Sequence, residues 1–151
     1  MNMKTVCELN KCVGCMACIE VCQKNAIKIQ DRLKNYNAII DSKQCIECNV
    51  CHNICPRNNP ETKKNAIKWY QGWAIDNIRK HSSSGGFAAS ILSAFISKGN
   101  YVCSCCFING QFKYLLTNEK KYLNEFIGSK YVKSNPEGIY TQIKNILRTG
   151  N

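Results

Sequence analysis

The feature that most restricts the fold of this chain is a repeated pattern of cysteines. Residues 12–22 read CVGCMACIEVC and residues 45–55 read CIECNVCHNIC, so the spacing C-x2-C-x2-C-x3-C occurs twice, 33 residues apart. Eight of the twelve cysteines in this 151-residue chain belong to the two copies. A repeat of this kind indicates two matching structural elements, and its cysteine density predicts either metal binding or disulfide bonds.

Three kinds of chemistry use closely spaced cysteines: disulfides, zinc sites and iron–sulfur clusters. The N-terminal residues MNMKTVCELNKC lack the apolar run of a signal peptide, which predicts a cytoplasmic location where thiols stay reduced. Zinc binds paired C-x2-C motifs, but one tetrahedral site made from two pairs would leave half of the repeated cysteines without a role. The pattern therefore favours iron–sulfur clusters.

Over roughly residues 4–60 the sequence resembles the bacterial two-cluster ferredoxin module. In that module three cysteines of each copy hold one 4Fe-4S cluster, and the fourth cysteine of the copy holds the other cluster. The resemblance implies these ligands: Cys12, Cys15, Cys18 and Cys55 for the first cluster, and Cys45, Cys48, Cys51 and Cys22 for the second. One departure is Gln23, which stands where the first copy would usually carry a proline.

Residues between and within the copies predict how the clusters would be covered. Gly14 suits a loop whose backbone approaches inorganic sulfide closely, because it lacks a Cβ and accepts positive φ. Residues 26–30 and 38–41 are predicted strands of a hairpin, with polar residues 31–37 as its loop. The isoleucines and alanines of these strands would keep water away from the clusters.

Composition divides the chain into a domain at 1–60, a polar linker at 61–65 and a second domain at 66–151. The net charge is +3 for residues 1–60 and +8 for residues 61–151. Such a basic second part would suit an acidic redox partner or a phosphate-bearing cofactor. Its lysines are scattered and no nucleic-acid-binding motif is present, so we expect no nucleic acid partner. The longest apolar stretch, residues 85–96, is too short to span a membrane.

The second part contains the segment SSSGG at residues 82–86, directly before a predicted helix at 87–98. Serine hydroxyls and free N–H groups at a helix N-terminus suit an anion such as phosphate. A serine cap preceded by a flexible approach explains the same residues, and the segment alone leaves both interpretations open. The helix is apolar on most of its faces, which predicts that it is buried.

The remaining residues predict a mixture of strands and helices. Strands at 101–108 and 111–117 flank Asn109-Gly110, a strong type I′ hairpin signal. Helices are predicted at 119–127 and at 136–148, the second with Asn135 as its cap and Pro136 in its first position. Cysteines outside the repeats are interpreted as small buried residues: Cys7, Cys103, Cys105 and Cys106. The predicted fold class is α+β, a two-cluster 4Fe-4S ferredoxin fold followed by a partial α/β domain.

A second resemblance covers almost the whole chain. The repeated cysteine motif is followed by YQGWA at 70–74, RKHSSSGG at 79–86 and GSKYV at 128–132, and this order is similar to the beta-subunit family of coenzyme F-420 (deazaflavin) reducing hydrogenases and dehydrogenases. Members of that family are iron–sulfur flavoproteins that pass electrons between clusters, FAD and a deazaflavin or other acceptor. The resemblance implies flavin contacts from this set: Ser82, Ser83, Ser84, Gly85, Gly86 and Lys130.

Members of that family continue with further strands after the helix that corresponds to residues 136–148, so the resemblance is to their N-terminal part. We therefore expect an oxidoreductase whose catalytic part is incomplete in this chain. Two other functions remain open: a ferredoxin-like electron carrier, and a non-catalytic fragment that needs a partner chain. The expected partner is a redox protein such as an acidic ferredoxin or flavodoxin, or a deazaflavin-type acceptor.

Overall fold

The computed structural model describes residues 4–150, and the chain divides into two compact units between Asn65 and Ala66. Its architecture mixes short helices with small antiparallel sheets. In the described residues each unit contains one two-stranded hairpin, and the two hairpins belong to separate sheets. The units are therefore described one at a time.

The first unit consists of two short helices and a hairpin. Helix α1 is Ala17–Val21, strand β1 is Ile27–Arg32, strand β2 is Asn35–Ile40 and helix α2 is Val50–Ile54. The strands pair antiparallel from Ile27↔Ile40 to Arg32↔Asn35, which leaves a turn of two residues.

The hairpin is confirmed, but the predicted seven-residue loop is wrong. Polar residues continue the strand pairing as far as the turn, from Gln30↔Asn37 to Arg32↔Asn35. Asn37 is 3% exposed, and its Oδ1 accepts a hydrogen bond of 2.7 Å from the backbone N–H of Asn10. A buried amide is stable when it is paired in this way.

The core of the first unit lies between the hairpin and the cysteine loops. The chain before the first repeat runs beside strand β2, since the Val6 N–H donates to the Ala38 carbonyl at 2.9 Å and the Ile40 N–H donates to the Lys4 carbonyl at 2.9 Å. The buried residues of this core are Val6, Cys7, Cys18, Ile27, Ala38, Ile40 and Cys55. Three of the seven are cysteines, so the core and the repeats occupy the same region.

The second unit places four helical segments around its hairpin. Strands β3 (Val102–Ile108) and β4 (Gln111–Thr117) pair antiparallel. The turn between them is confirmed as left-handed at both residues, with φ of 53° at Asn109 and 75° at Gly110. The helices are α3 (Asp76–Lys80), α4 (Phe87–Ser97), a 3-10 helix (Lys120–Phe126) and α5 (Ile139–Arg148).

One helix prediction in the second unit is confirmed and another needs correction. The short helix predicted at 119–127 is present as a 3-10 helix at Lys120–Phe126. The last helix begins at Ile139 instead of Pro136, because Gly138 before it has a φ of 80°. The Asn135 side chain accepts a hydrogen bond from the Glu137 N–H at 2.9 Å, so it closes a turn ahead of the helix.

Helix α4 has the predicted extent but not the predicted burial. Phe87 is 60% exposed and Phe95 is 51% exposed, whereas Ile96 is 5% exposed. The helix packs against strand β3, the 3-10 helix and α3, and these elements cover only part of its surface. The burial of an apolar helix depends on what surrounds it, which its own residues do not specify.

The three cysteines on strand β3 differ in how far they are buried. Cys106 is fully buried, as predicted, and its thiol donates to the Lys113 carbonyl at 3.3 Å. Cys103 is exposed, which corrects the prediction that it is buried. Cys105 is partly buried, and its Sγ lies 2.6 Å from the Ser134 Oγ.

Residues 4–150 form no helix with both the length and the apolar character that crossing a bilayer requires.

Candidate functional site

The two cysteine repeats adopt the same backbone conformation. Each contains a five-residue helix, α1 in the first copy and α2 in the second, which begin 33 residues apart. The residue before each helix is left-handed, with φ of 58° at Met16 and 59° at Asn49. In both copies the fourth cysteine is the extended residue that ends the helix: Cys22 and Cys55. The sequence repeat is therefore also a structural repeat.

Backbone N–H groups point at cysteine sulfurs in equivalent places. The Gly14 N–H donates to the Cys12 Sγ at 3.4 Å, and the Glu47 N–H donates to the Cys45 Sγ at 3.4 Å. Gly14 has a φ of 70°, the positive value expected from the sequence. Such N–H groups can stabilise negative charge on a metal-bound sulfur.

One cavity of the first unit collects cysteines from both repeats. Its volume is about 170 Å³, and its lining includes Cys45, Cys48 and Cys51 from the second repeat together with Cys22 from the first. Apolar and polar side chains complete the lining, among them Ile27, Ile40, Lys4 and His52. The structure thus gathers the four cysteines that the ferredoxin resemblance assigns to the second cluster.

A smaller cavity gathers the cysteines assigned to the first cluster. It is called the first cavity, and the cavity lined by the ligands of the second cluster is called the second cavity. The volume of the first cavity is about 20 Å³, and its lining includes Cys12, Cys15, Cys18 and Cys55. Val6, Val13 and Ala38 surround these thiols, and Cys18 and Cys55 are 7% and 8% exposed.

The donor set of each cavity fits a 4Fe-4S cluster, which takes four thiolates. Within residues 4–150, no three His, Cys, Asp or Glu side chains are already gathered closely enough to hold one metal ion. Four sulfurs on a single zinc ion would lie about 3.8 Å apart. The four thiolates of a 4Fe-4S cluster each bind a different iron atom and therefore lie farther apart. Thiolates in an apolar surrounding are the soft ligands that iron–sulfur clusters use.

Burial raises the pKa of two of the cluster-facing thiols. Burial, together with the neighbouring thiols of Cys15 and Cys12, raises the pKa of Cys18 to about 12. Burial also raises the pKa of Cys51. A thiol must lose its proton to bind iron, so filling these cavities with metal releases protons to solvent.

Each cavity also has a cation in its lining, Arg57 in the first and Lys4 in the second. The Lys4 Nζ lies 2.7 Å from the Glu47 Oε1. This contact raises the pKa of Lys4 and lowers the pKa of Glu47, mainly through the hydrogen bond between them. The ion pair joins the chain ahead of the first repeat to the loop of the second repeat.

The residues predicted to contact a flavin line a cavity of the second unit. Its volume is about 450 Å³, and its lining includes all five members of the SSSGG segment. The opposite wall comes from the 3-10 helix and the residues after it, with Leu123, Phe126, Gly128 and Ser129. The segment is therefore next to an open space large enough for part of a ligand.

Lys130, the sixth residue predicted to contact a flavin, hydrogen-bonds to backbone carbonyls of its own unit. Its Nζ donates to the Ile127 carbonyl at 2.7 Å and to the Glu125 carbonyl at 3.0 Å, and the lysine is not part of the cavity lining. A cation satisfies the carbonyls at the end of a helix in this way. The structure gives Lys130 a role at the end of the 3-10 helix.

The serine-cap interpretation of SSSGG is corrected by the structure. Gly86 is the residue before helix α4, with a φ of 75°, and no side chain caps the helix there. The Ser82 hydroxyl instead donates to the Ile78 carbonyl at 2.7 Å. Gly86 also packs closely, because an added Cβ would lie 2.9 Å from the Ala74 Cβ.

Cys7 is a residue of the first cavity that the cysteine repeats do not predict. Cys7 was interpreted as a packing residue, and it is indeed 7% exposed. Its side chain also lines the cavity and packs in the same cluster as Cys55 and Cys12. Cys7 lies outside both repeats, so the cysteine spacing contains no signal that would place it there.

Residues 11–69 match the family model of the 4Fe-4S dicluster domain. The matched segment contains all eight cysteines of the two repeats. The match supports 4Fe-4S clusters as cofactors and an iron–sulfur electron-transfer role for the chain. No curated protein matches the sequence significantly.

Proposed function

We propose that the first unit holds two 4Fe-4S clusters in a ferredoxin-type fold and relays electrons between a redox partner protein and a flavin. The observation that carries this proposal is the composition of the two cysteine cavities. Each contains three cysteines from one repeat and the fourth cysteine of the other repeat. The eight proposed ligands are Cys12, Cys15, Cys18, Cys55, Cys45, Cys48, Cys51 and Cys22.

This exchange of ligands explains why the two centres would work as a relay. Cys18 lies on helix α1 and Cys22 is the extended residue that ends this helix, but the two line different cavities. The two cavities are consequently neighbours, and electrons would have only a short distance to cross between them. Bound clusters supply the one-electron chemistry, while the chain sets their positions and surroundings.

The chain's own residues would set the cluster potentials in two ways. Three backbone N–H groups donate to proposed ligand sulfurs, from Gly14, Glu47 and Ala26, the last to the Cys22 Sγ at 3.3 Å. Buried side chains such as Ile27, Ile40 and Ala38 keep water away. Hydrogen bonds to the sulfurs and exclusion of solvent are the main means by which proteins tune such clusters.

We place the flavin, FAD, in the second unit, as part of an α/β domain. The support is the cavity beside Ser83, Ser84 and Gly85, together with the uncapped N-terminus of helix α4. Free N–H groups and the positive end of the helix dipole favour a phosphate group at that point. A deazaflavin-type cofactor is the proposed acceptor or donor beyond the flavin.

A stand-alone electron carrier is the second candidate function, and the charge distribution favours it. Residues 61–151 have a net charge of +8, which would draw an acidic ferredoxin or flavodoxin to the protein. In that case the second unit would be a docking surface without a flavin. The two candidates share the clusters and differ in the cofactor of the second unit.

Anaerobic reconstitution followed by metal and flavin analysis tests both parts of the proposal. We expect about eight iron and eight acid-labile sulfide per chain, and about one FAD bound per chain from the stoichiometry of a single cavity. Two zinc ions without sulfide would refute the cluster proposal. Full iron content without any flavin would refute the flavin site and leave the carrier function.

A matched pair of variants tests the flavin position. Ser83→Asp places a negative charge in the cavity lining and should weaken FAD binding, because the phosphates are repelled. Ser42→Asp makes the same change at an exposed serine of the first unit and should leave FAD binding unchanged. Equal FAD affinity for both variants, measured by fluorescence titration, would argue against the site.

A further inference from the structure

The first cluster cavity contains five thiols, one more than a cubane needs. Cys7 lines this cavity together with the four proposed ligands. It is buried, and it packs in the same cluster as Cys55 and Cys12. The four other thiols already complete the coordination of a 4Fe-4S cluster, so Cys7 is available for a different role.

The second cavity differs in this respect. The cysteines of its lining are Cys22, Cys45, Cys48 and Cys51, which are the four proposed ligands and no others. The backbone of the two repeats is otherwise alike, including the N–H donors from Gly14 and Glu47. The fifth thiol is therefore a difference in chemistry between two centres of similar construction.

The backbone around Cys7 is held from several sides. The Val6 N–H donates to the Ala38 carbonyl at 2.9 Å, and the Asn58 Nδ2 donates to the Val6 carbonyl at 2.8 Å. The Thr5 hydroxyl donates to the carbonyl of Cys7 itself at 2.7 Å. These bonds tie the residue to strand β2 and to the segment after the second repeat, so its side chain stays directed into the cavity.

We propose that the Cys7 thiol donates a hydrogen bond to the cluster-bound sulfur of Cys55, with the sulfur of Cys12 as its alternative acceptor, and thereby raises the reduction potential of the first cluster. The inference rests on the proposed cluster in this cavity. A thiol is a weak donor when its acceptor is neutral, but hydrogen bonds to charged acceptors are stronger. The reduced cluster has one more negative charge than the oxidised cluster, so the donor stabilises the reduced state more. Cys7 keeps its proton throughout and forms no bond to iron.

Potentiometric titration of the reconstituted full-length protein, followed by electron paramagnetic resonance, tests this role. In Cys7→Ala we expect one of the two one-electron steps to move to lower potential, by about tenfold in its equilibrium constant, or about 59 mV. The other step should stay in place. Cys7→Ser keeps a donor group and should restore most of the difference.

Two further variants separate the hydrogen bond from other effects. Cys106→Ala removes a fully buried cysteine from the second unit and should shift neither step. Cys7→Val preserves the bulk of the side chain without a donor and should behave like Cys7→Ala. The valine variant keeps the measurement possible if the alanine variant folds poorly.

The outcomes distinguish this inference from the proposed function. Unchanged potentials in Cys7→Ala and Cys7→Val, with full iron content, would overturn the donor role and leave the clusters intact. Loss of about four iron from every Cys7 variant would also overturn it, because Cys7 would then be a ligand. An absence of clusters in the unsubstituted protein would overturn the proposed function itself.

Discussion

Gly14 and Glu47 occupy equivalent positions in the two repeats and share the same left-handed backbone, with φ of 70° and 54°. Each donates its N–H to the sulfur of the cysteine two residues earlier, at 3.4 Å in both cases. Only the first of the two is a glycine. The second loop therefore bears a conformational cost that the first avoids, because a side chain at positive φ costs roughly 1 kcal/mol.

The positive φ at both positions predicts that glycine is more stabilising than alanine at each of them. Gly14→Ala should lower the free energy of unfolding of the reconstituted protein by about 1 kcal/mol. Glu47→Gly should be more stable than Glu47→Ala by about the same amount. Both Glu47 variants lose the ion pair with Lys4, so their comparison isolates the backbone effect. Equal unfolding midpoints for the two Glu47 variants would contradict the prediction.

The exchange of ligands between repeats predicts how paired substitutions affect iron content. Cys22→Ser combined with Cys45→Ser removes two ligands from one proposed cluster, so about four iron should remain. Cys18→Ser combined with Cys22→Ser removes one ligand from each cluster, so both should be lost or damaged. If each repeat instead held its own cluster, the two results would be reversed. Iron and sulfide analysis after anaerobic reconstitution decides between them.

The close packing at Gly86 predicts a large effect of a single methyl group. Gly86 and Gly99 both have positive φ, 75° and 81°, but an added Cβ meets the Ala74 Cβ at 2.9 Å in the first case and nothing within 4 Å in the second. Gly99→Ala should lower the free energy of unfolding by about 1 kcal/mol. Gly86→Ala should lower it by about 1 kcal/mol more than that, or by a larger amount, because overpacking a core site adds a cost of this size.

A double variant checks the cause of the Gly86 effect. Ala74→Gly removes the atom that the new methyl group would meet. If crowding is responsible, Gly86→Ala should be less destabilising in the Ala74→Gly background, as measured by chemical denaturation. Additive losses would contradict the proposed contact.

The Lys4–Glu47 ion pair predicts a pH-dependent contribution to the stability of the first unit. The raised pKa of Lys4 means that its contribution is present below the unfolded-state value and is lost as the pH rises through the folded-state value. The lowered pKa of Glu47 means that its contribution is present above the unfolded-state value and is lost as the pH falls through the folded-state value. The pair should therefore stabilise the protein across neutral pH and weaken in strong acid and strong alkali.

Lys4→Met should have a lower unfolding midpoint than the unsubstituted protein near neutral pH. This difference should become smaller in strong acid and in strong alkali. The difference should be small, since both side chains are exposed, and high salt should reduce it further. Lys28→Met, at an exposed lysine on strand β1, is the control. Its unfolding midpoint should differ from that of the unsubstituted protein by an amount that depends on neither pH nor salt. A Lys4→Met difference that is unchanged at low pH would contradict the prediction.

Local features of the sequence were sufficient for several elements of the structure. The Asn109-Gly110 turn, the extent of helix α4 and the positive φ of Gly14 all follow from residues that are close in sequence. The hairpin of the first unit was also predicted, but not the length of its strands, because the burial of Asn37 depends on Asn10, which lies 27 residues away. The start of helix α5 was missed for a similar reason, since Asn135 and Lys113 are bridged across the second unit.

By itself, the sequence determined the cysteine spacing, the repeat and the chemistry that eight thiols in this pattern can support. It could do so because the first three cysteines of each copy are only three residues apart, and local backbone geometry decides whether such residues can surround one cluster. The tertiary structure decided that Cys7 joins the first cavity, that Lys130 binds carbonyl groups of the 3-10 helix, and that helix α4 is partly exposed. These facts depend on contacts between residues that are distant in sequence or on the surface that neighbouring elements leave uncovered, and no local pattern of residues specifies them.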